Sequence, residues 1–595
     1  MSNNSNYLPT ISFKNFRRFA NFPKIDLGDI TILVGGNNSG KSTIVKALLL
    51  CIDNLRLMRI SDRRQKESNS VLSFSKPIFR FDTNEIHDVK IKEFSRAIHN
   101  KPVATTGVDA VTLNIKKKMA LPTSMQFEFT LSPFKFTFVV SGNRDERSTY
   151  CDVDRILIED LDSHVRYTND YSSNYMSYEV LNDESQEELS LARKLVQDLK
   201  KAQQSLNKAN EDGDLEAISN LTASLDKIKM QISSILNLED NKDYEFNEQE
   251  LSTELLNTLL KKRNPYKAIY DDLPLAISHN EVNEPVVLNV ISNIINFATT
   301  KGIAPKATEK TDPNDYAVAF EAFNILEGYR EAIYQDLNVL NQSKRKLGNL
   351  LSTLNVEYIS AHAANQNTLY NTSDLNDYIA QTVHGFWREK ITPGDVEYEF
   401  VREWMQKFEI GIDFKIDALV YGEAYTVSIT EESGSVLPLA DKGMGSIQMM
   451  ILLLKIATIL YKNRLRDRDG RFDWINSIII IEEPEQNLHP KMQSYLADLF
   501  YYLAKYKDIR MLIETHSEYL IRKSQVIVSE ENFSDIQELE ENNLFWVYYL
   551  PSDDSAPYKM QYTISGRFAN KFGEGFFDEA GKANLITLRK EKGLK

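Results

Sequence analysis

The chain has 595 residues, of which 42% are hydrophobic and 26% are charged. This composition is typical of a folded protein of roughly two to four domains and excludes a largely disordered chain. The net charge of −15 has the wrong sign for a protein whose whole surface binds nucleic acid, although it is compatible with local basic tracks.

The sequence predicts a cytoplasmic protein without a membrane-spanning segment. It contains no uninterrupted apolar run of about eighteen residues, the length that crosses a bilayer. Its longest apolar stretch, Met449 to Tyr461, carries Lys455 and is interpreted as a buried helix. The first residues lack the basic start and apolar core of a secretion signal. Cys51 and Cys151 are interpreted as buried small hydrophobes in a reducing compartment.

Residues 30–50 are typical of a strand, a glycine loop and a helix. The loop, Gly35 to Thr43, fits the pattern G-x-x-x-x-G-K-[ST], in which backbone N–H groups wrap the phosphates of a nucleoside triphosphate. In this pattern Lys41 reaches the β- and γ-phosphates, and the Ser42 hydroxyl binds Mg²⁺. The predicted nucleotide contacts are Gly36, Asn37, Asn38, Ser39, Gly40, Lys41, Ser42 and Thr43.

Strand patterns flank this loop in the first 180 residues. Met125 to Leu131 alternates apolar and polar residues with the period of two expected of a half-buried strand. Similar strand candidates lie at Thr10 to Phe13, Phe134 to Val140 and Arg155 to Ile158. They predict an antiparallel sheet beside the strand that leads into the glycine loop.

The pattern changes near residue 183 to a charged, helical stretch that extends to about residue 350. Apolar residues spaced by three and four run from Leu195 to Ala209 and again from Leu221 to Ile235, which predicts a coiled-coil-like helical hairpin. Asn210 to Asp214, between them, is interpreted as a turn, with a metal-binding acid pair as the alternative. Arms of about 38 Å are too short to span a chromosome and favour a docking surface or a dimer brace.

Four basic runs are candidate DNA contacts. Each run alone fits a solvated surface better than a nucleic-acid site. The runs are Arg56 to Lys66, Lys116 to Lys118, Lys261 to Arg263 and Arg589 to Lys592.

A second glycine loop precedes the apolar helix of the second half. Leu437 to Gln448 contains Gly443 and Gly445, and two glycines at a helix N-terminus form an anion-binding nest. Because the chain already has one phosphate loop, we interpret Gly443, Gly445 and Ser446 as contacts to the ATP of a partner subunit. A tight turn that requires glycine is the alternative.

Acidic residues follow a buried strand. Ser477 to Ile481 is a β-branched run typical of the middle of a parallel sheet, and it ends in Glu482 and Glu483. A P-loop enzyme needs acids at such a strand end. We assign Glu482 to the Mg²⁺ side of the site and Glu483 as the general base. The alternative is that these acids merely cap a strand.

One histidine follows a further predicted strand. His516 comes just after Ile509 to Ile513, one helix beyond the acid strand. An isolated histidine is more often structural than catalytic, but this position favours a γ-phosphate sensor.

Together these motifs resemble the heads of ABC-type ATPases, the superfamily that includes structural-maintenance-of-chromosomes proteins, RecF and the OLD (overcoming lysogenization defect) family. The run Glu482 to Glu485, the run Leu488 to Pro490 and the glycine loop Asp441 to Gln448 are similar to those of prokaryotic OLD-like ATPases of the AAA15 group. Many of these serve antiphage systems such as PARIS and Septu, where they work with a nuclease or toxin.

The resemblance implies an α/β fold: a two-lobed P-loop head with a mixed sheet, an antiparallel β lobe and a helical, partly coiled-coil insertion. The predicted domains are an N-terminal lobe (1–182), the insertion (183–350) and a C-terminal lobe (351–595). It also implies a head-to-tail dimer, or a higher oligomer, with ATP between subunits. Gly36 to Thr43 would bind ATP in cis, Gly443 to Ser446 would reach the partner's γ-phosphate, and His516 would be the switch histidine.

The chain departs from its relatives in three ways. Ser360 to Asn365 stands where relatives carry an arginine, and the glutamine that would bind Mg²⁺ cannot be placed. OLD nucleases also continue into a Toprim domain, whereas Asp553-Asp554, after His516, has the composition of a loop.

These features lead to a first functional hypothesis, an ATP-gated sensor and scaffold of antiphage defence whose nuclease or toxin effector is a separate chain. The alternative is a RecF-like or SMC-like ATPase that clamps DNA. A stand-alone nuclease ranks third, because no metal-binding acid cluster is visible.

Overall fold

The structure of the chain is a computed structural model. It describes residues 8–58, 76–82, 91–108, 115–143, 147–172, 175–180, 286–288, 290–292, 295, 338–360, 369–371, 377–419, 422–468, 477–553, 555–573, 577, 583 and 586–588. The predicted helical hairpin at 195–235, the basic runs at 261–263 and 589–592, and residues 361–365 lie outside these ranges.

The first half forms an antiparallel sheet. Its strands are β1 (Thr10–Phe16), β2 (Phe19–Asp26), β4 (Ile78–Arg80), β7 (Ser124–Leu131), β8 (Phe134–Ser141), β9 (Tyr150–Asp160), β10 (Val165–Asp170) and β11 (Tyr175–Val180). Among the described residues, their order is β11-β10-β9-β8-β7-β1-β2, with β4 beside β9. Along β7, Met125, Phe127 and Phe129 are buried and alternate with half-buried Gln126 and Glu128, so the predicted period of two is confirmed.

A second sheet joins strands from both halves of the chain. They are β3 (Ile30–Gly35), β12 (Asn355–Ile359), β17 (Ser477–Glu482), β18 (Arg510–Glu514), β19 (Phe545–Leu550) and β20 (Tyr558–Lys559). The order is β12-β17-β18-β3-β19-β20, and all neighbours are parallel except β19 and β20. The strand β18 therefore separates the acid strand β17 from β3, which leads into the glycine loop.

Two smaller sheets complete the β structure of the described residues. The strands β5 (Val103–Val108) and β6 (Ile115–Ala120) form a hairpin. The third sheet contains β13 (Tyr370–Asn371), β14 (Asp413–Leu419), β15 (Ala424–Thr430) and β16 (Val436–Pro438).

The described residues also form helices. They are α1 (Lys41–Leu57), α2 (Phe94–Ala97), α3 (Tyr378–Arg388), α4 (Val396–Lys407), α5 (Met444–Arg468), α6 (Pro490–Lys507), α7 (Glu518–Glu530) and α8 (Ile536–Asn542). Residues 338–353 are also helical, and a 3₁₀ turn (Leu439–Asp441) precedes α5. The segment Met444–Leu465 has the length and composition of a membrane span, but 72% of its most apolar window is buried inside the protein, as in a core helix.

The parallel sheet lies between two hydrophobic cores. Along β17, Ile478 and Ile480 face the core that contains α1 and the antiparallel sheet, whereas Ile479 and Ile481 face the core that contains α5 and α6. Successive side chains of a strand point to opposite faces, so a β-branched run without polar positions has both faces covered. The predicted buried strand is confirmed, and the fold is the α/β architecture that the motifs imply.

Three smaller predictions have different outcomes. Both Cys51 and Cys151 are buried and free, as predicted. Arg56, predicted within a basic track, instead donates a hydrogen bond to the carbonyl oxygen of Leu354 and holds α1 to the segment before β12. The domain boundaries stay predictions, because the residues around 182 lie outside the described ranges.

Candidate active site

The glycine loop closes tightly between β3 and α1. Gly40 has φ 103°, in the left-handed region, and a Cβ there would lie 2.5 Å from the Phe19 ring. The Ser39 N–H donates to the Gly36 carbonyl at 3.2 Å, which turns the loop toward the helix. A helix N-terminus preceded by such a loop directs unpaired backbone N–H groups at an anion. The conformation fits a phosphate group.

Lys41 and Ser42 begin α1 inside the protein. The Lys41 side chain is only 3% exposed, and its Nζ donates to the carbonyl oxygens of Gly35 and Gly36 at 3.0 and 3.1 Å. Burial lowers the pKa of Lys41, and the nearby Glu514 carboxylate acts in the opposite direction. The Ser42 hydroxyl donates to Glu514 Oε1 at 2.9 Å. Lys41 and Ser42, the predicted phosphate and metal contacts, therefore both lie beside Glu514 at the end of β18.

Two carboxylates lie side by side at the ends of β17 and β18, where Glu482 and Glu514 are register partners. Glu482 Oε2 accepts a hydrogen bond from the Tyr358 hydroxyl at 2.7 Å. The other oxygens, Glu482 Oε1 and Glu514 Oε2, are buried without a hydrogen-bond partner. Burial raises the pKa of Glu514 to about 7, and the charge of Glu482 acts in the same direction.

These oxygen atoms fit a divalent cation. Buried polar atoms are nearly always satisfied, and carboxylate and hydroxyl oxygens are the protein ligands that Mg²⁺ prefers. No group of three or more His, Cys, Asp and Glu side chains in the described part of the chain is arranged to hold a metal by itself. Mg²⁺ commonly uses one or two carboxylates together with waters and substrate phosphates, so the residues present match an ion that arrives with a nucleotide.

Glu483 projects from the turn that follows β17. It has φ 44°, and its N–H donates to the Glu514 carbonyl at 2.7 Å, which fixes this unusual backbone conformation. Its Oε2 accepts a hydrogen bond from the Gln486 side chain. Its Oε1 lies 3.7 Å from His516 Nε2. Burial lowers the pKa of His516, with Lys41 acting in the same direction, so the histidine is neutral near pH 7 and this contact is not a full ion pair.

The loop that carries His516 is pinned to the loop that follows β17. The His516 N–H donates to Glu485 Oε1 at 2.6 Å. The Ser517 hydroxyl donates to Gln493 Oε1 at 2.6 Å and also accepts from the Leu520 N–H, which caps α7. The base and the sensor predicted from sequence are therefore held by one hydrogen-bonded unit.

The second glycine loop contacts the other side of this unit. A Cβ on Gly445 would lie 2.5 Å from the Asn487 carbonyl oxygen, whereas a Cβ on exposed Gly443 would meet nothing within 4 Å. Gln448, in the first turns of α5, donates from Nε2 to the Glu483 carbonyl at 3.5 Å and accepts from Asn487 at 3.3 Å. The loop containing Gly443, Gly445 and Ser446 thus packs beside the base.

The structure brings the predicted Lys41, Ser42, Glu482, Glu483 and His516 together at the ends of β3, β17 and β18. Sequence reasoning gave no role to Glu514. An acid ends a buried strand there, as at Glu482, and this was the available signal.

A second missed residue is Arg18. Its guanidinium donates to the Asn38 carbonyl inside the glycine loop and to the carbonyls of Ser552 and Asp553, both at 3.2 Å. Arg18 therefore holds the tip of the β1–β2 hairpin to the loop, and its position in an Arg-Arg pair offered no signal of that contact.

The model of the AAA_15 family, described as an AAA ATPase domain, matches residues 7–521. Three solved structures are similar at low TM-scores. An Smc head domain with an extended coiled coil from Pyrococcus furiosus, bound to the C-terminal domain of ScpA, has 10% identity over 98% of this chain and 99% of that chain, with a TM-score of 0.30. An Smc head domain with a coiled coil and joint from Pyrococcus yayanosii has 11% identity over 94% and 98%, with a TM-score of 0.29. An SmcHead bound to the C-winged helix domain of ScpA has 9% identity over 93% and 96%, with a TM-score of 0.28. No curated protein matches the chain.

Proposed function

We propose, because this chain belongs to the AAA_15 family of AAA ATPase domains, that it binds ATP with Mg²⁺ at Gly35 to Thr43 and hydrolyses it to ADP and phosphate. The observation that carries the proposal is the convergence of Lys41, Ser42, Glu483 and His516 at the ends of three neighbouring strands. Phosphoryl transfer depends mostly on positioning and charge stabilisation, which such a cluster supplies.

Each residue has a distinct task in this proposal. The loop N–H groups and Lys41 hold the β- and γ-phosphates, and Ser42 with Glu482 would hold Mg²⁺, which neutralises phosphate charge when bound. Glu483 orients the attacking water and accepts its proton. Neutral His516 donates a hydrogen bond to the γ-phosphate and, through its contact with Glu483, links phosphate position to the base.

We further propose that Gly443 to Ser446 complete the site of a second copy of the chain. Gly443 is exposed at the start of α5, and this helix terminus offers N–H groups to an anion. A head-to-tail arrangement of two copies creates two equivalent composite sites, each with Lys41 from one copy and Gly443 from the other.

Mixing two inactive variants tests the composite site. Lys41→Ala and Gly443→Ala should each hydrolyse ATP poorly, yet an equimolar mixture should regain about a quarter of wild-type activity, since half the dimers then carry one intact site. The measurement is steady-state phosphate release. Gly443→Ala should keep the wild-type unfolding temperature, because its Cβ would enter open space. A mixture no more active than the separate variants would contradict sharing between copies.

The biological role that we propose is an ATP-gated sensor and scaffold of antiphage defence that acts with a separate nuclease or toxin. Its support is the similarity of the acid and glycine motifs to OLD-like ATPases, together with a long insertion to which no chemistry is assigned. A tagged chain expressed from its native operon should retain a neighbouring gene's product, and Glu483→Gln should change the retained amount. Purification of the chain alone, without a neighbouring effector gene, would contradict this role.

The alternative role is a DNA clamp of the RecF or SMC kind. Its support is the local basic runs, and the net charge of −15 opposes it. A clamp should bind duplex DNA in the presence of ATP, with an affinity that falls steeply and linearly with salt on logarithmic axes. A flat salt dependence would reject the clamp.

A further inference from the structure

Glu514 lies one strand closer to the glycine loop than Glu482, the acid assigned to Mg²⁺ from sequence. It is the last residue of β18, and β18 pairs directly with β3, whereas Glu482 ends β17, one strand farther away. Neighbouring strands lie about 4.8 Å apart. The strand order therefore makes Glu514 the acid that faces the start of α1.

The contacts of Glu514 are those of a residue in the phosphate and metal centre. Its Oε1 accepts the Ser42 hydroxyl at 2.9 Å and lies 4.0 Å from Lys41 Nζ. The residue is 4% exposed, and its Oε2 has no hydrogen-bond partner. A buried carboxylate oxygen without a partner is costly unless a ligand completes its environment.

The local charge identifies the class of that ligand. Three carboxylates, those of Glu483, Glu485 and Glu514, act on the ammonium group of Lys41, and a fourth, that of Glu482, lies beside Glu514. The Lys41 Nζ also donates to two carbonyl oxygens. A nucleotide phosphate would add negative charge to this excess. A small divalent cation that prefers oxygen ligands would bind the buried oxygen atoms that have no hydrogen-bond partner, and it would also offset the excess negative charge.

We propose that Glu514 is a carboxylate ligand, directly or through a water, of the Mg²⁺ that accompanies the bound nucleotide, beside Ser42 and Glu482. This inference rests on the proposed nucleotide binding. It assigns Glu514 to the cation, and it leaves Glu483 as the base. The hydrogen bond from the Ser42 hydroxyl to Glu514 also orients Ser42. Because the hydroxyl hydrogen points at Glu514, the lone pairs of the hydroxyl oxygen point away from it and are available to the cation.

The test separates metal binding from nucleotide binding. ATP affinity is measured by calorimetry for the wild type and Glu514→Gln, once with Mg²⁺ and once with EDTA. Mg²⁺ increases the ATP affinity of the wild type by some factor, and in Glu514→Gln this factor should be at least about tenfold smaller. A loss of this size is expected when a group that supports a metal is removed. In EDTA it should bind ATP as tightly as the wild type, or more tightly, because one negative charge is gone.

Two further measurements complete the test. Mn²⁺ in place of Mg²⁺ allows bound metal to be followed by electron paramagnetic resonance, and Glu514→Gln should bind Mn²⁺ with ATP at least about tenfold more weakly. Asp498→Asn is the matched control: it is also an acid-to-amide change, Asp498 faces Lys523 on α7, and the variant should behave like the wild type.

An unchanged Mg²⁺ effect and unchanged Mn²⁺ affinity in Glu514→Gln would overturn this inference alone. Equal weakening with and without metal would reduce Glu514 to a structural residue and also overturn it. Failure of the wild type to bind any nucleotide would overturn both this inference and the proposed function.

Discussion

Lys41→Ala is expected to weaken ATP binding by at least about thirtyfold, because removing one partner of a buried, hydrogen-bonded charge contact commonly costs about 2–5 kcal/mol. Lys41 is buried, and its ammonium group lies beside the backbone of the phosphate loop. No other lysine or arginine is assigned to the phosphates of this site, so hydrolysis should be lost together with binding.

Calorimetric titration of ATP measures this effect. Lys415→Ala is the matched control, because Lys415 lies on β14 in the small third sheet, its side chain is 74% exposed, and it pairs with Asp417 on the same strand. The control should bind ATP like the wild type. Retention of wild-type ATP affinity in Lys41→Ala would show that the glycine loop is not the nucleotide site.

Glu483→Gln is expected to reduce hydrolysis by at least about a hundredfold while ATP still binds, since a positioned general base contributes about 10²- to 10⁴-fold to such a step. The amide keeps the shape of the side chain and an oxygen that can accept from Gln486. It cannot accept a proton from water. ATP-bound dimers should therefore accumulate, and size-exclusion chromatography with ATP should detect them.

Glu403→Gln on the surface of α4 is the control for this change. Glu403 pairs with Lys407 within the same helix, far in sequence from both acid strands, so the variant should hydrolyse ATP normally. Normal turnover in Glu483→Gln would remove Glu483 from its role as base.

Much of the fold could be predicted because its signals are local. The isoleucine run of β17 has no polar position, so only a strand covered on both faces accommodates it, and the alternation along β7 likewise predicts a half-buried strand. The glycine loop was predictable because its pattern joins residue type to backbone conformation, as the φ of 103° at Gly40 illustrates.

The order of strands was not predictable from the residues alone. Whether β17 or β18 pairs with β3 depends on contacts between segments far apart in sequence, and residue spacing carries no information about it. The strand order determines which acid contacts Ser42. The prediction from sequence therefore included Glu482 but not Glu514. The contact of Arg18 with Asn38 is equally nonlocal, because it needs the β1–β2 hairpin to fold back over the loop.

The placement of these acids also has a consequence for amide hydrogen exchange. Glu482 and Glu514 end β17 and β18, which lie in the interior of a six-stranded sheet with a hydrophobic core on each face. Amides of such strands exchange only when a large cooperative unit opens, whereas amides at exposed loop ends exchange through small local fluctuations. The half of the site proposed to bind metal should therefore persist through partial unfolding that already frays the exposed turn at Gly443. On the proposed function, contact with a second copy would then be lost before nucleotide binding.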